Sequence, residues 1–361
     1  MAGAGAGDAE LTRSDLAGPG IRRRRCGRGF RYAGPDGAPP GPAALARVKA
    51  LVIPPAWEDV WICPEPDGHI QAVGTDDAGR RQYLYHARWR ELRDAEKFDR
   101  MLEFGRALPR IRAVTGRHIS SRRLSRERVL AAAVRLIDLG FFRAGGEEYA
   151  ADNGSYGLAT IRRDQVTCTG GEIIFDYTAK GGKHREQAVV DDGVYAVVRS
   201  LRRRRSAPDI GDLLVYRSGQ RWHDVTAADI NDYLREVSGG DFTAKDFRTW
   251  HATVLAAVGL AVSEPAAASA AARKRAIARV VAEVADYLGN TPAVARASYI
   301  DQRIIDLYAE GVTIAPVLGR LGEGKEFGAA ATEGHAEQAV LDLLTRHART
   351  GPGTSAAAAG H

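Results

Sequence analysis

Along this chain of 361 residues the spacing of apolar positions changes character from one region to the next. From Ile21 to about Ala95, short runs of β-formers such as Val60, Trp61 and Ile62 alternate with turn sequences, Gly34-Pro35-Asp36-Gly37 and Pro66-Asp67-Gly68. Gly and Pro at such places supply backbone angles that strands do not use. The region reads as a small β-rich domain, and the charged stretch from His86 to Arg100 after it reads as a connecting helix. From about Met101 the period becomes helical: Val129, Ala133, Leu136 and Ile137 share a stripe that Gly140 closes.

A β interlude follows. Val166 to Thr169, Gly170-Gly171 and Glu172 to Thr178 predict a hairpin, and Gly181-Gly182 turns the chain into a third strand, Arg185 to Val190. Helical spacing resumes at Val194, Val197, Val198 and Leu201. Thr226 is placed to cap a helix with Ile230, Tyr233, Leu234 and Val237 on one face. The strongest stripe, Ile277, Val280, Val281, Val284, Tyr287 and Leu288, ends at Gly289, and Thr291-Pro292 opens the next helix. Both ends are Gly/Ala-rich. Residues 1–19 read as a disordered tail, and residues 316–361 as an Ala/Gly-rich tail interrupted by one amphipathic stretch, Val340 to Leu344, with GPGTSAAAAGH as its loose end. The expected fold class is α+β, with a β-rich domain over residues 20–98 and a mainly helical domain with a β-hairpin sheet over residues 99–315.

Composition adds boundaries. With 45% hydrophobic and 27% charged residues the chain is ordinary for a globular protein. No apolar run is long enough to span a bilayer, and MAGAGAGDAELTRSD carries no signal pattern. Cys26, Cys63 and Cys168 are isolated and form neither zinc spacing nor an even disulfide set, so a cytoplasmic location is expected. The net charge is +6, with Arg clustered at Arg22 to Arg25, Arg122 to Arg123 and Arg202 to Arg205. A nucleic-acid partner and a plain Arg-rich solvated surface fit that charge equally well. There is no GxxxxGK[ST] loop, no HExxH and no carboxylate cluster with metal spacing, so neither a cofactor nor a metal is expected.

Taken singly, the residues able to do chemistry have bland readings. Arg80, Gln82, Tyr83 and Tyr85 suit a nucleic-acid surface, but taken alone they fit better an edge strand with its aromatics in the core. Tyr299, on the helix opening at Pro292, reads as a core tyrosine. Lys180 sits on a hairpin tip, Arg143 just after a helix, and Arg248 early in a helix that Thr243 caps. Asn290 reads as a turn residue between two helices.

Together they read differently. The run IPPAWEDVWICPEPDGHIQAVGTDDAGRRQYLYH resembles the N-terminal domain of the bacterial and poxvirus-type DNA topoisomerases IB. FFRAGGEEYAADNGSYGLATI, FDYTAKGGK, DFTAKDFRTWHAT and LGNTPAVARASYID resemble that family's catalytic domain, in the same order, and the resemblance covers about Ile21 to Tyr308. It implies a tyrosine nucleophile at Tyr299, a general acid at Lys180, and phosphate-holding arginines at Arg143 and Arg248. Where poxvirus members carry His in GHTP, this chain has Asn290 in GNTP. The N-terminal Arg80, Gln82, Tyr83 and Tyr85 match family positions that contact DNA.

The implied reaction is transesterification. A tyrosine oxygen attacks a backbone phosphate, a 5′-hydroxyl leaves, and the 3′-phosphotyrosyl bond keeps the energy for resealing without ATP or metal. The implied partner is double-stranded DNA, with the monomer clamped around the duplex, no membrane, and a cytoplasmic, nucleoid-associated location. A tyrosine recombinase shares the catalytic fold, but Lys245 fills the place of the recombinase His in the box ending at Arg248. A catalytically dead nucleoid-binding relative is the non-enzymatic alternative, against which all four principal catalytic positions are filled.

Overall fold

The computed structural model of the chain describes residues 11–140, 142–145, 154–204, 211–264, 269–320 and 334–348. By its internal contacts the chain divides into two compact units, Met1–Asp99 and Arg100–His361.

The first unit is built on an antiparallel sheet of β1 (Ile21–Cys26), β2 (Gly29–Ala33), β3 (Glu58–Ile62), β4 (Ile70–Thr75) and β5 (Arg81–Tyr85), in the order β2-β1-β3-β4-β5. Side chains alternate across a strand. Val60 and Ile62 therefore meet Ile21, Ala72 and Val48 of helix α1 (Pro42–Ala50) on one face, while Trp61 and Cys63 meet Ile70 and Val73 on the other. Both faces are covered, which is why β3 reads as a continuous apolar run. Helix α1 was not predicted; it opens on Pro42 and buries only Val48, too little to make a periodic signal.

Residues 11–19 depart from the disordered tail that was expected. Thr12 bridges to Gly68, the Ser14 N–H donates to His69 Nδ1 at 2.9 Å, and Trp61 Nε1 donates to the Gly18 carbonyl at 3.2 Å. Leu16 packs on the Trp61 face. Gly20 makes the close approach possible, because a Cβ there would lie 2.1 Å from Trp61 Nε1. Residues 1–10 lie outside the described residues.

In the second unit the long helix α2 (Ala87–Ile119), which begins in the first, leads to α3 (Arg126–Gly140). A sheet of β6 (Val166–Thr169), β7 (Glu172–Ala179) and β8 (Lys183–Val190) follows, in the order β6-β7-β8. Then come α4 (Asp192–Arg202), the hairpin β9 (Val215–Ser218) and β10 (Arg221–Asp224), and helices α5 (Ala227–Ser238), α6 (Ala244–Ser263), α7 (Ala270–Leu288), α8 (Pro292–Ser298), α9 (Gln302–Ala309) and α10 (His335–Ala348). Every residue of α3 from Val129 to Val134 is buried, so it is a core helix with neighbours all round rather than the one-sided helix its stripe suggested. Ala131, Ala132 and Ala133 let those neighbours approach. The predicted caps form: Thr226 and Asp229 make a capping box, and Thr291 accepts from the Val294 N–H. The β9–β10 hairpin was not predicted, its four-residue strands being too short to show a period.

The segment read as an Ala/Gly-rich tail, 316–361, contains α10. Ala336, Val340, Leu341, Leu343 and Leu344 of that helix are buried. Glu337 accepts from Arg112 of α2 at 2.7 and 3.0 Å and from Trp250 Nε1 of α6 at 3.2 Å. Arg112 in turn pairs with the buried Asp138 of α3 at 2.8 Å. Burial alone would push the Asp138 carboxyl up, but Arg112 outweighs it and holds the group well below the usual carboxylate range. The amphipathic stretch Val340 to Leu344 marks this helix, while its partners, more than 80 residues away, leave no local signal. Residues 321–333 and 349–361 are outside the described residues.

Candidate active site at the end of helix α7

Helix α7 ends at Leu288, where Gly289 takes the left-handed conformation with φ of 62°. A helix C-terminus leaves its last carbonyls without intrahelical partners and carries partial negative charge. The last turn of α7 has no basic residue of its own. Its partners come from elsewhere. The Asn290 N–H donates to the Ala285 carbonyl at 2.9 Å and the Gly289 N–H to that of Asp286 at 3.0 Å. Arg185 Nη2, from β8, donates to the Asp286 and Tyr287 carbonyls at 3.2 and 2.8 Å. Arg248 Nη2, from α6, donates to the Leu288 carbonyl at 2.7 Å, and Arg143 Nη2 approaches the same oxygen at 3.4 Å.

Arg143 lies beyond the end of α3. Its segment is pinned by the Leu158 N–H on the Arg143 carbonyl and the Ala159 N–H on that of Ala144, both at 2.8 Å. The two backbones touch at Gly145 and Gly157, where a Cβ on Gly157 would lie 2.4 Å from Gly145 Cα. The rest of the quoted motif, Phe141 and residues 146–153, lies outside the described residues. The short bond of Arg143 is to Asn290 Oδ1, at 2.7 Å. A guanidinium only donates, so this contact assigns the amide orientation. It leaves Asn290 Nδ2 buried without an acceptor among the described residues.

Arg248 sits in the first turns of α6, which opens at Thr243 with Asp246 reaching back to the Thr243 N–H at 2.7 Å. Its side chain is among the buried charges, at 4% exposure. Burial, with the charge of Arg143 added, pulls its pKa down to about 10. Arg143 is lowered too, again first by burial. These cations are held in place at a cost, and an incoming anion would relieve it.

Tyr299 is not within α8 but one residue past it, ending the helix at φ −130° and ψ −33°. Its N–H donates to the Ala295 carbonyl at 3.0 Å. Thr253 Oγ1, on the same helix as Arg248, lies 3.3 Å from the Tyr299 carbonyl and accepts from the Asp301 N–H at 3.1 Å. Arg248 hydrogen-bonds the tyrosine side chain, its Cζ 5.4 Å from the ring centroid. Burial pushes the phenol up, yet the charges of Arg248, Arg143 and Lys245 outweigh it, and the pKa falls below the ordinary value.

Lys180 stands at the β7–β8 turn, where Gly181 and Gly182 take φ of 82° and 72° and the Gly182 N–H closes on the Ala179 carbonyl at 3.1 Å. With Arg143, Arg185, Gly289 and Asn290 it lines a cavity of about 220 Å³. The structure thus gathers Arg143, Arg248, Asn290 and Tyr299 at one helix end and puts Lys180 on a wall of the adjoining cavity. A larger cavity, about 910 Å³, opens at the other end of α3, between Arg126 and the β9–β10 hairpin, and none of these residues lines it. Among the described residues no group of three or more His, Cys, Asp and Glu is arranged to hold a metal ion. No helix among them is long and apolar enough to cross a membrane.

In the first unit, Arg80 stands just before β5, and Gln82, Tyr83 and Tyr85 lie on it. β5 is an edge strand, as read, but its tyrosines are not in the core: Tyr83 and Tyr85 are 38% and 39% exposed and stack at 6.2 Å between centroids. Asp76 bonds both Arg80 Nη2 and Gln82 Nε2 at 2.9 Å. Arg185, Thr253 and Asp76 escaped the sequence reading. Arg185 and Thr253 act through backbone carbonyls far away in the chain, which leave no residue-type signal; only Asp76, in the turn before β5, is local enough to have been suspected.

The family described as eukaryotic DNA topoisomerase I, catalytic core, matches residues 86–310, and that described as bacterial DNA topoisomerase IB, N-terminal domain, matches residues 29–76. The DNA topoisomerase 1B of Acanthamoeba polyphaga mimivirus is 29% identical over 275 residues, 73% of this chain and 80% of the viral protein. The DNA topoisomerase 1 of Candidozyma auris is 26% identical over 213 residues, 53% of this chain but only 27% of the yeast protein. The DNA topoisomerase 1B of vaccinia virus, strain Western Reserve, is 20% identical over 236 residues, 65% of this chain and 71% of that protein. With a catalytic-core match over more than half its length, the chain belongs to the type IB DNA topoisomerase family.

Proposed function

We propose that this type IB topoisomerase relaxes supercoiled duplex DNA through a covalent bond between Tyr299 and the 3′-phosphate of a transiently cut strand. The observation that carries this reading is the side chain of Tyr299 hydrogen-bonded by Arg248, with the Arg143–Asn290 pair at the same helix end. In the first step the Tyr299 phenol, its pKa lowered by those cations, loses its proton to solvent. Its Oη bonds to phosphorus as the bond from phosphorus to the 5′-oxygen breaks. Lys180 gives a proton to that oxygen, which leaves as a hydroxyl. Arg143 and Arg248 hold the non-bridging oxygens as charge builds on them, a task their fixed forks suit; removing one such donor costs roughly a hundredfold to a thousandfold in rate. The Asn290 amide, oriented by Arg143, donates through Nδ2.

Resealing runs the same steps backwards. The 5′-hydroxyl returns its proton to Lys180 and attacks phosphorus, and the phenolate of Tyr299 leaves. The phosphotyrosyl bond conserves the energy, so ATP has no step to drive, and the cations at the site carry the charge that a metal would otherwise carry. Between the steps the free end turns about the intact strand. In this reading the chain works as a monomer with both units on the duplex, in the cytoplasm with the nucleoid. Arg80, Gln82, Tyr83 and Tyr85 contact the DNA, Arg80 and Gln82 held ready by Asp76.

The test is relaxation of positively and negatively supercoiled plasmid in excess EDTA without nucleotide. Full relaxation of both is expected. Strict dependence on ATP or a divalent metal would overturn the reading.

A further inference from the structure

We propose that Arg185 is a positioning residue that docks the hairpin carrying Lys180 onto the end of α7; this rests on the acid role given to Lys180 above. Lys180 sits on a turn whose next two residues, Gly181 and Gly182, are both in positive-φ conformations. The place of a lysine on so short a turn, relative to Asn290 and Arg143, depends on how the strands beneath it are fixed.

The strands are fixed at two levels. Low on the sheet, Gln187 Nε2 donates to the Gly140 carbonyl at the end of α3, and Phe175, opposite Gln187 in the register, meets Phe142 edge-on at 4.8 Å. Higher, towards the turn, Arg185 stands opposite Tyr177 in the β7–β8 register and donates to the Asp286 and Tyr287 carbonyls. These carbonyls lie in the last turn of α7, separated from Gly289 and Asn290 by Leu288 alone. The guanidinium therefore joins the acid-bearing hairpin to the turn that carries the Asn290 amide. Arg185 is half-buried and lines the same cavity as Lys180, Arg143 and Asn290. A point charge on a flexible stem would hold such a joint less firmly than a planar fork.

Capping α7 is the simpler role such an arginine could have. A cap alone would move stability and would slow every substrate alike. A positioning role through Lys180 makes a narrower claim, because a displacement of about 1 Å at a reacting group can cost roughly a hundredfold in rate. It should vanish when the leaving group needs no proton.

The experiment measures single-turnover cleavage by the full chain on pre-bound duplexes with an ordinary 5′-oxygen or a 5′-bridging sulfur at the scissile phosphate. Parent, Lys180→Ala, Arg185→Ala and Arg185→Lys are compared, with thermal unfolding of each. Arg185→Ala should cut the oxygen substrate about a hundredfold more slowly than the parent, and the sulfur substrate less than about tenfold more slowly. Arg185→Lys, which keeps one donor for the carbonyls, should stay within about tenfold of the parent on both. Parental rates for Arg185→Ala, or equal slowing on both substrates, would overturn the proposal while leaving Lys180 as the acid, provided Lys180→Ala recovers on sulfur. Failure of Lys180→Ala to recover would refute the acid reading and the Arg185 proposal with it.

Discussion

The amide of Asn290 has one face that is settled and one that is open. Arg143 fixes Oδ1 at 2.7 Å, and Nδ2 is left buried without an acceptor among the described residues. A buried donor left unmade costs about 1–3 kcal/mol, which a ligand oxygen could recover. A neutral amide can donate a hydrogen bond but supplies no proton, so its proposed part is electrostatic. Asn290→Ala is therefore expected to slow cleavage of pre-bound DNA by roughly a hundredfold with little change in affinity, and Asn290→His to keep most of the rate. Equal single-turnover rates for the alanine variant and the parent would return Asn290 to the role of a turn residue. Its place between Gly289 and Thr291 was legible in the sequence; its bond to a residue 147 positions away was not.

Helix α10 shows what an element contributes without touching the site. Its buried Val340, Leu343 and Leu344, with Glu337 on Arg112 and Trp250, tie α2, α3 and α6 together, and α6 carries Arg248 and Thr253. A fully buried aliphatic side chain stabilises by about 1.5–3 kcal/mol, and removing Glu337 leaves Arg112 and Trp250 with unmet polar groups. Deleting residues 335–361 is expected to destabilise the second unit by several kcal/mol, at about 2–4 °C of Tm per kcal/mol, and to lower cleavage with it. An unchanged Tm and cleavage rate would make α10 dispensable to the second unit. Elements with long stripes and local caps, α3, α5 and α7, were readable in the sequence because their signals lie within a few turns. Helix α1, the β9–β10 hairpin and the packing of residues 11–19 were not: the elements are short, and what holds them is distant in the chain, as with Val48 and Ser14. The same distinction runs through the candidate site. Its residues could be named by resemblance, while what organises them, the orphan carbonyls at the end of α7, has no residue type to be recognised by.

For the whole molecule, the proposed chemistry reduces to one bond between this chain and DNA. In that chemistry the Tyr299 oxygen joins phosphorus, and the lowered phenol, the two cations beside it and Lys180 on the nearby hairpin each take a part in the step. The other tyrosines near by are placed differently: Tyr177 is buried, its phenol pushed up by burial, and Tyr287 points its exposed ring out of α7. The most direct measurement uses a duplex with a nick just past the cut site, so that the short downstream piece bearing the new 5′-hydroxyl diffuses away and the covalent complex cannot reseal. Digestion and mass spectrometry then locate the attached nucleotide. The expected result is a 3′-phosphodiester on the peptide containing Tyr299, formed in EDTA, with Tyr299→Phe binding the same duplex and giving no adduct. An adduct on any other residue, a 5′ linkage, or an adduct that survives in Tyr299→Phe would contradict it.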